Sequence, residues 1–268
     1  MRRLLIRPGG IGDSILSFPA LTCLKADYTE VWVREDVVPL VRFADSVRSI
    51  ASTGIDLLGL PGMDAPRALV ERLRAFDSII SWYGANRDDF RAEVERLALP
   101  FQFFPALPAP GERVHAADFF LQQVGCSRRA VPRIDGLCGP EGDFAVIHPF
   151  SGSPRKNWPM EKFQELAVRI AMPVRWSAGP EENLEGAVRI ANLYELAGWL
   201  RSARVYIGND SGITHLAAAA GAPVVAIFGP TDPAVWAPRG DRVQLVAGKL
   251  DEISVGQVLD AVQQIARE

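Results

Sequence analysis

Residues 205–231 constrain the fold of this chain more than any other stretch. They run as a short apolar strand, a turn of small polar residues, an alanine-rich helical segment and a second apolar strand closed by Gly229, Pro230 and Thr231. A strand, helix and strand in such close succession belong to a parallel sheet, and the polar residues at the two strand ends then converge on one sheet edge. That edge is where α/β proteins hold phosphorylated ligands.

The turn itself is chemically definite. Asp210 and Ser211 are good caps for a helix beginning near Gly212, and Gly212 lets a ligand approach the main chain with no Cβ in the way. The first N–H groups of a helix lack partners within it and sit at the positive end of its dipole, so they attract anions. Thr214 and His215 add a hydroxyl and an imidazole to the same turn. The same residues serve equally as a well-capped structural turn, and other segments must decide between the two readings.

The chain has 268 residues, 48% of them hydrophobic and 23% charged, enough for two globular domains with real cores. Strands are expected at residues 3–7, 31–33, 78–82, 144–148 and 174–177, and helices at 37–43, 65–74, 88–99, 115–124, 160–170, 193–202 and 254–267. Residues 100–111 read as a proline-rich loop, and the glycine-rich stretch 135–143, near the midpoint, as a linker. The alternation predicts two doubly wound parallel-sheet domains, 1–138 and 139–268, facing across a cleft that holds the site. The terminal helix is free to pack back on the first domain.

Twenty-nine basic against 32 acidic residues leave a net charge of −3, which argues against nucleic acid as a partner. The N-terminal apolar run is only Leu4, Leu5 and Ile6, too short for a signal peptide or a membrane span, so a cytoplasmic location is expected, with peripheral contact at the inner membrane face left open. Cys23, Cys126 and Cys138 form no paired motif and predict no disulfide framework. His115, His148 and His215 lie far apart, and no metal site is expected.

Three further segments carry chemistry. In the loop Gly9, Gly10, Ile11, Gly12, Asp13, a carboxylate stands at a helix start behind residues small enough to admit a substrate. Ile15 breaks a dinucleotide fingerprint there, and Asp13 also reads simply as a helix cap. After the strand ending at His148, Ser151, Gly152 and Ser153 form a donor-rich bend, with Lys156 better placed for an anion than the solvated Arg155. Glu181 and Glu182 follow a strand end, where a carboxylate takes the hydroxyls of a ribose or opens a helix.

Taken together, these motifs resemble glycosyltransferase family 9, the ADP-heptose:lipopolysaccharide heptosyltransferases. The matching pieces occur in order: Arg7 through Leu21 with its Gly-Asp pair, Phe76 to Ile80, His148 to Ser153, Lys156 to Pro159, Gly179 to Glu181, Gly208 to Ala218, and Phe228 to Pro233. The resemblance implies a GT-B fold of two Rossmann-like domains, the first holding the acceptor and the second the sugar nucleotide. It implies inverting, metal-independent transfer with no cofactor beyond the donor, ADP-heptose or another nucleotide sugar, onto a lipopolysaccharide-core or surface-glycan acceptor. Residue by residue it makes Asp13 the general base, Lys156, Ser211, Gly212, Thr214 and His215 the donor-phosphate site, Asp210 a donor-sugar contact, Glu181 or Glu182 the ribose contact, and Gly9, Gly10 and Gly12 the acceptor-side loop.

The chain is shorter than the usual heptosyltransferases, with a compact region from 84 to 133 in place of extended acceptor loops. Two other functions therefore stand beside the transferase: a nucleotide-sugar-binding protein without transfer, and a non-hydrolysing sugar-nucleotide epimerase of similar fold. The oligomeric state is left open.

Overall fold

A computed structural model describes residues 1–109, 111–126, 130–139 and 142–267. Pro110 of the expected loop, and Pro140 and Glu141 of the expected linker, lie outside the described residues. The first half contains β1 (Arg2–Ile6), α1 (Ile11–Cys23), β2 (Tyr28–Val33), β3 (Ser46–Ser49), α2 (Arg67–Arg74), β4 (Ser78–Ser81), α3 (Asp88–Arg96), β5 (Phe101–Phe103) and α4 (Ala116–Gln123). The second contains β6 (Ala145–His148), α5 (Met160–Arg169), β7 (Val174–Trp176), α6 (Leu193–Arg201), β8 (Val205–Asn209), α7 (Gly212–Ala220), β9 (Val224–Phe228), α8 (Pro233–Trp236), β10 (Val243–Ala247) and α9 (Val255–Ile265).

Each half forms one all-parallel, five-stranded sheet. The first is ordered β3-β2-β1-β4-β5 and the second β10-β9-β8-β6-β7. Strand order reverses between β1 and β4 in the first sheet and between β6 and β8 in the second, and the crevice beside such a reversal is where doubly wound sheets take their ligands. The central strands are buried on both faces, which explains their unbroken apolar runs: Leu4, Leu5 and Ile6 in β1, and all five residues of β9, are buried.

Three strands were not expected. β3, β5 and β10 all stand at sheet edges, where mixed or very short sequences suffice; β5 falls inside the stretch read as a loop. The helix expected at 37–43 is a 3-10 turn, Glu35–Leu40, interrupted by Pro39. The terminal helix does not return to the first domain. Val255, Val258, Val262 and Ile265 of α9 enter the apolar core beneath the second sheet, where the helix packs on α5 and β10.

The two halves are joined more intimately than a bare cleft would require. One continuous core runs from Leu5, Leu16 and Phe120 to Leu196, Leu216 and Ala226, with α1 packed directly on α7. Around it, α4 and the residues flanking it are strapped to the second half. Asp118 takes a two-pronged ion pair from Arg239, Arg133 meets Asp241 at 2.8 Å, and His115 Nε2 donates to the Ala237 carbonyl at 3.0 Å. The expectation of no disulfide also needs correction. Cys23, at the end of α1, is bonded to Cys126 beyond α4, because α4 packs along α1 and closes 103 residues of separation that no motif announces; Cys138 is free and exposed.

Candidate active site

The loops after β1, β6, β7, β8 and β9 all open on one cleft of about 730 Å³. Two helix N-termini point into it. α1 is capped by Gly10, and Asp13 in its first turn accepts the Gly10 N–H at 3.3 Å; the structure therefore makes Asp13 a first-turn carboxylate and not the cap residue itself. α7 is capped by Ser211, whose hydroxyl accepts the Thr214 N–H at 3.2 Å. Gly10, Gly12, Asp13, Ser211, Gly212 and His215 all line the cleft.

The two helix starts touch. A Cβ on Gly12 would lie 2.8 Å from His215 Cδ2, and one on Gly212 would lie 2.8 Å from Ile11 Cβ. Both glycines are thus required first by the junction of the halves and only then by any ligand. Gly9 does not line the cleft; its Cβ position is filled by Arg7 and Asp13.

Opposite Asp13, Lys156 Nζ meets Asp210 Oδ2 at 2.7 Å, and the Thr231 hydroxyl donates to the same oxygen at 2.6 Å. Asp210 is only 6% exposed, so its charge rests on these two partners, while Lys156 keeps enough exposure to meet a ligand. The sequence order hides this arrangement: β6 and β8 are neighbours in the sheet, so their following loops meet although they lie far apart in the chain. Arg155 is exposed, as expected.

Besides Gly9, two of the expected site residues are placed differently. Thr214 is fully buried and its hydroxyl is occupied, donating to the Asn209 carbonyl at 2.5 Å beside Ser211 and Tyr206. It shapes the turn and does not reach the cleft. Of the two glutamates, Glu181 is exposed and off the cleft, whereas Glu182 lines it and accepts the Gly179 N–H at 2.6 Å.

Burial sets the charge of the histidines. His215 is driven down to about 4 by desolvation, against the pull of Asp210 and Asp13, so it is neutral at neutral pH. Its Nδ1 is buried without a hydrogen-bond partner. His148 is also held below its usual range by burial, which outweighs Glu182; its Nδ1 donates to the Ser177 carbonyl at 3.0 Å and its Nε2 lies 3.8 Å from Glu182 Oε2. His148 and Thr231 are site residues for which sequence reasoning proposed no role, although both sit inside quoted motifs. Among the described residues, no three His, Cys, Asp or Glu groups cluster to hold a metal ion.

This cleft therefore offers an ionisable carboxylate on one wall, and a lysine beside an anion-attracting helix start on the other. Comparison with known proteins identifies the family. Residues 122–257 match the family model for glycosyltransferase family 9 (heptosyltransferase). Over the whole chain and 98% of the relative, the sequence is 25% identical to lipopolysaccharide heptosyltransferase 1 of Escherichia coli. Among solved structures, the chain aligns over 99% of its length with the family 9 glycosyl transferase of Veillonella parvula (TM-score 0.78, 18% identity, 97% of that chain). It aligns equally fully with E. coli heptosyltransferase WaaC with ADP (TM-score 0.73, 19% identity, 100% of that chain).

Proposed function

From the premise that the chain belongs to glycosyltransferase family 9 and is a glycosyltransferase, we propose that it transfers a heptose from ADP-heptose to a lipopolysaccharide-core acceptor, inverting the anomeric centre without a metal ion. The observation that carries this reading is the pairing of two helix starts across one cleft, with Asp13 on α1 and the Lys156–Asp210 pair at the head of α7. Relatives support the substrates: E. coli heptosyltransferase WaaC has been solved with ADP and with ADP-2-deoxy-2-fluoro heptose.

In this reading residues 1–138 hold the acceptor and 139–268 the donor. Asp13 accepts the proton of the acceptor hydroxyl as its oxygen attacks the anomeric carbon, on the face opposite the leaving diphosphate. Charge grows on the diphosphate as the glycosidic bond breaks. Lys156 and the main-chain N–H groups after Ser211 and Gly212 stabilise it, supplying the positive field that a bound cation would otherwise provide. His215, neutral, offers a hydrogen bond and no charge. Glu182 is the ribose contact, since it faces the cleft and Glu181 does not.

No helix among the described residues is long and apolar enough to cross a membrane; peripheral contact with the inner membrane face is part of this proposal. Incubation of the protein with labelled ADP-heptose and heptose-free core acceptors tests the proposal. ADP release coupled to acceptor labelling supports it; failure to transfer across a panel of donors and acceptors, by folded protein, overturns it.

A further inference from the structure

Behind the Asp13 loop lies a buried cation that the transfer mechanism does not use. Arg7 follows β1 and is 1% exposed. Its Nη1 donates to the Pro8 carbonyl at 2.5 Å and its Nη2 to the Asp13 carbonyl at 3.2 Å, so one guanidinium grips both ends of the loop. The guanidinium carbon lies 4.6 Å from the centre of the Phe120 ring on α4. Gly9 wraps over it at φ 156°, and a Cβ there would come within 3.1 Å of Arg7 Nη1 and 3.2 Å of Asp13 Cβ.

Burial alone would favour an apolar residue at this position, since a sequestered charge is costly and Nε finds no partner. Desolvation does push Arg7 down, but only to about 10, so it remains charged at neutral pH, and Asp13 is the counter-charge that opposes the shift. Arg7 accepts that cost where its planar fork holds the loop through the Pro8 and Asp13 carbonyls.

We propose that Arg7 is a positioning residue for Asp13, fixing the loop so that the carboxylate faces the cleft. This inference rests on the transferase reading and on Asp13 as its base. Lysine would keep the charge and lose the fork, whereas methionine loses both, so the two variants separate field from geometry.

The test compares wild type, Arg7→Lys, Arg7→Met and Asp13→Asn for ADP affinity by calorimetry and for kcat and KM in transfer. Arg7→Met should lose about 100-fold in kcat, the scale of a small misplacement of a catalytic group, with ADP affinity unchanged. Arg7→Lys should lose less kcat, with ADP affinity unchanged. Should Arg7→Met fail to fold, Arg7→Lys decides alone: reduced kcat with intact ADP affinity supports the role, and wild-type kcat overturns it. A wild-type kcat in Arg7→Met, or ADP affinity falling by the same factor as kcat, also overturns it. If Asp13→Asn turns over normally, the base assignment itself falls; if it is inactive while the Arg7 variants are normal, only the Arg7 inference falls.

Discussion

Gly12→Ala probes the contact on which the assembly of this cleft depends. The new Cβ would stand 2.8 Å from His215 Cδ2 and 3.4 Å from Nε2, well inside ordinary carbon contact. His215 is 6% exposed and held within α7, so it cannot swing aside. The overlap should cost about 1–3 kcal/mol, as overpacking in a filled core does. Against this, replacing glycine in a helix by alanine stabilises by up to about 1 kcal/mol. The net expectation is a loss of about 0–3 kcal/mol, reaching zero at its lower end, and the sign alone is therefore a poor test. A double-mutant cycle with His215→Ala removes the ambiguity, because in that background the overlap disappears and only the helix gain remains. Urea midpoints and slopes for the four proteins should yield a coupling of about 1–3 kcal/mol. Equal stabilisation by Gly12→Ala in both backgrounds would refute the claim that the two helix starts are in contact.

Other outcomes follow from the same geometry. Lys156→Met strips the buried Asp210 of its cation and the diphosphate of its lysine, so ADP affinity should fall about 10- to 100-fold by calorimetry; an unchanged affinity would remove Lys156 from the donor site. Glu182→Gln should weaken ADP binding while Glu181→Gln leaves it alone, and the reverse pattern would reverse the ribose assignment. Acid stability should report His215. Its folded value, near 4, lies below the unfolded value of 6.5, so the unfolded chain binds the extra proton between those values. The contribution is whole above pH 6.5 and is lost as pH falls through 4, on the order of 3 kcal/mol. His215→Leu should show a shallower decline in urea midpoint over that window, and parallel declines would contradict the buried, neutral imidazole.

Much of this architecture was legible because apolar strands alternate with helical patterns, and central parallel strands must be apolar on both faces. The edges were not. Ser46–Ser49 and Phe101–Phe103 satisfy one neighbour only and carry too little pattern to announce themselves. In the site, the cap at Ser211 and the helix start at Gly212 were readable, since local hydrogen bonding dictates them. What Thr214 does was not, because whether a turn hydroxyl faces ligand or main chain depends on the Asn209 carbonyl that takes it. Glu181 and Glu182 differ by one position and become distinct only when the turn aims one of them at the Gly179 N–H. Arg7, the Cys23–Cys126 bond and the Gly12–His215 contact all depend on packing between distant segments, for which one sequence holds no local signal.

The division of labour between the two walls of the cleft is tested most directly by Asp13→Asn, assayed for transfer, for ADP affinity and, in the wild type, for the anomeric configuration of the product. The expected result is an inverted product, a fall in kcat of about 10²- to 10⁴-fold on losing the base, and ADP bound as tightly as before. A product of retained configuration, or an Asp13→Asn protein that turns over at the wild-type rate, would contradict it.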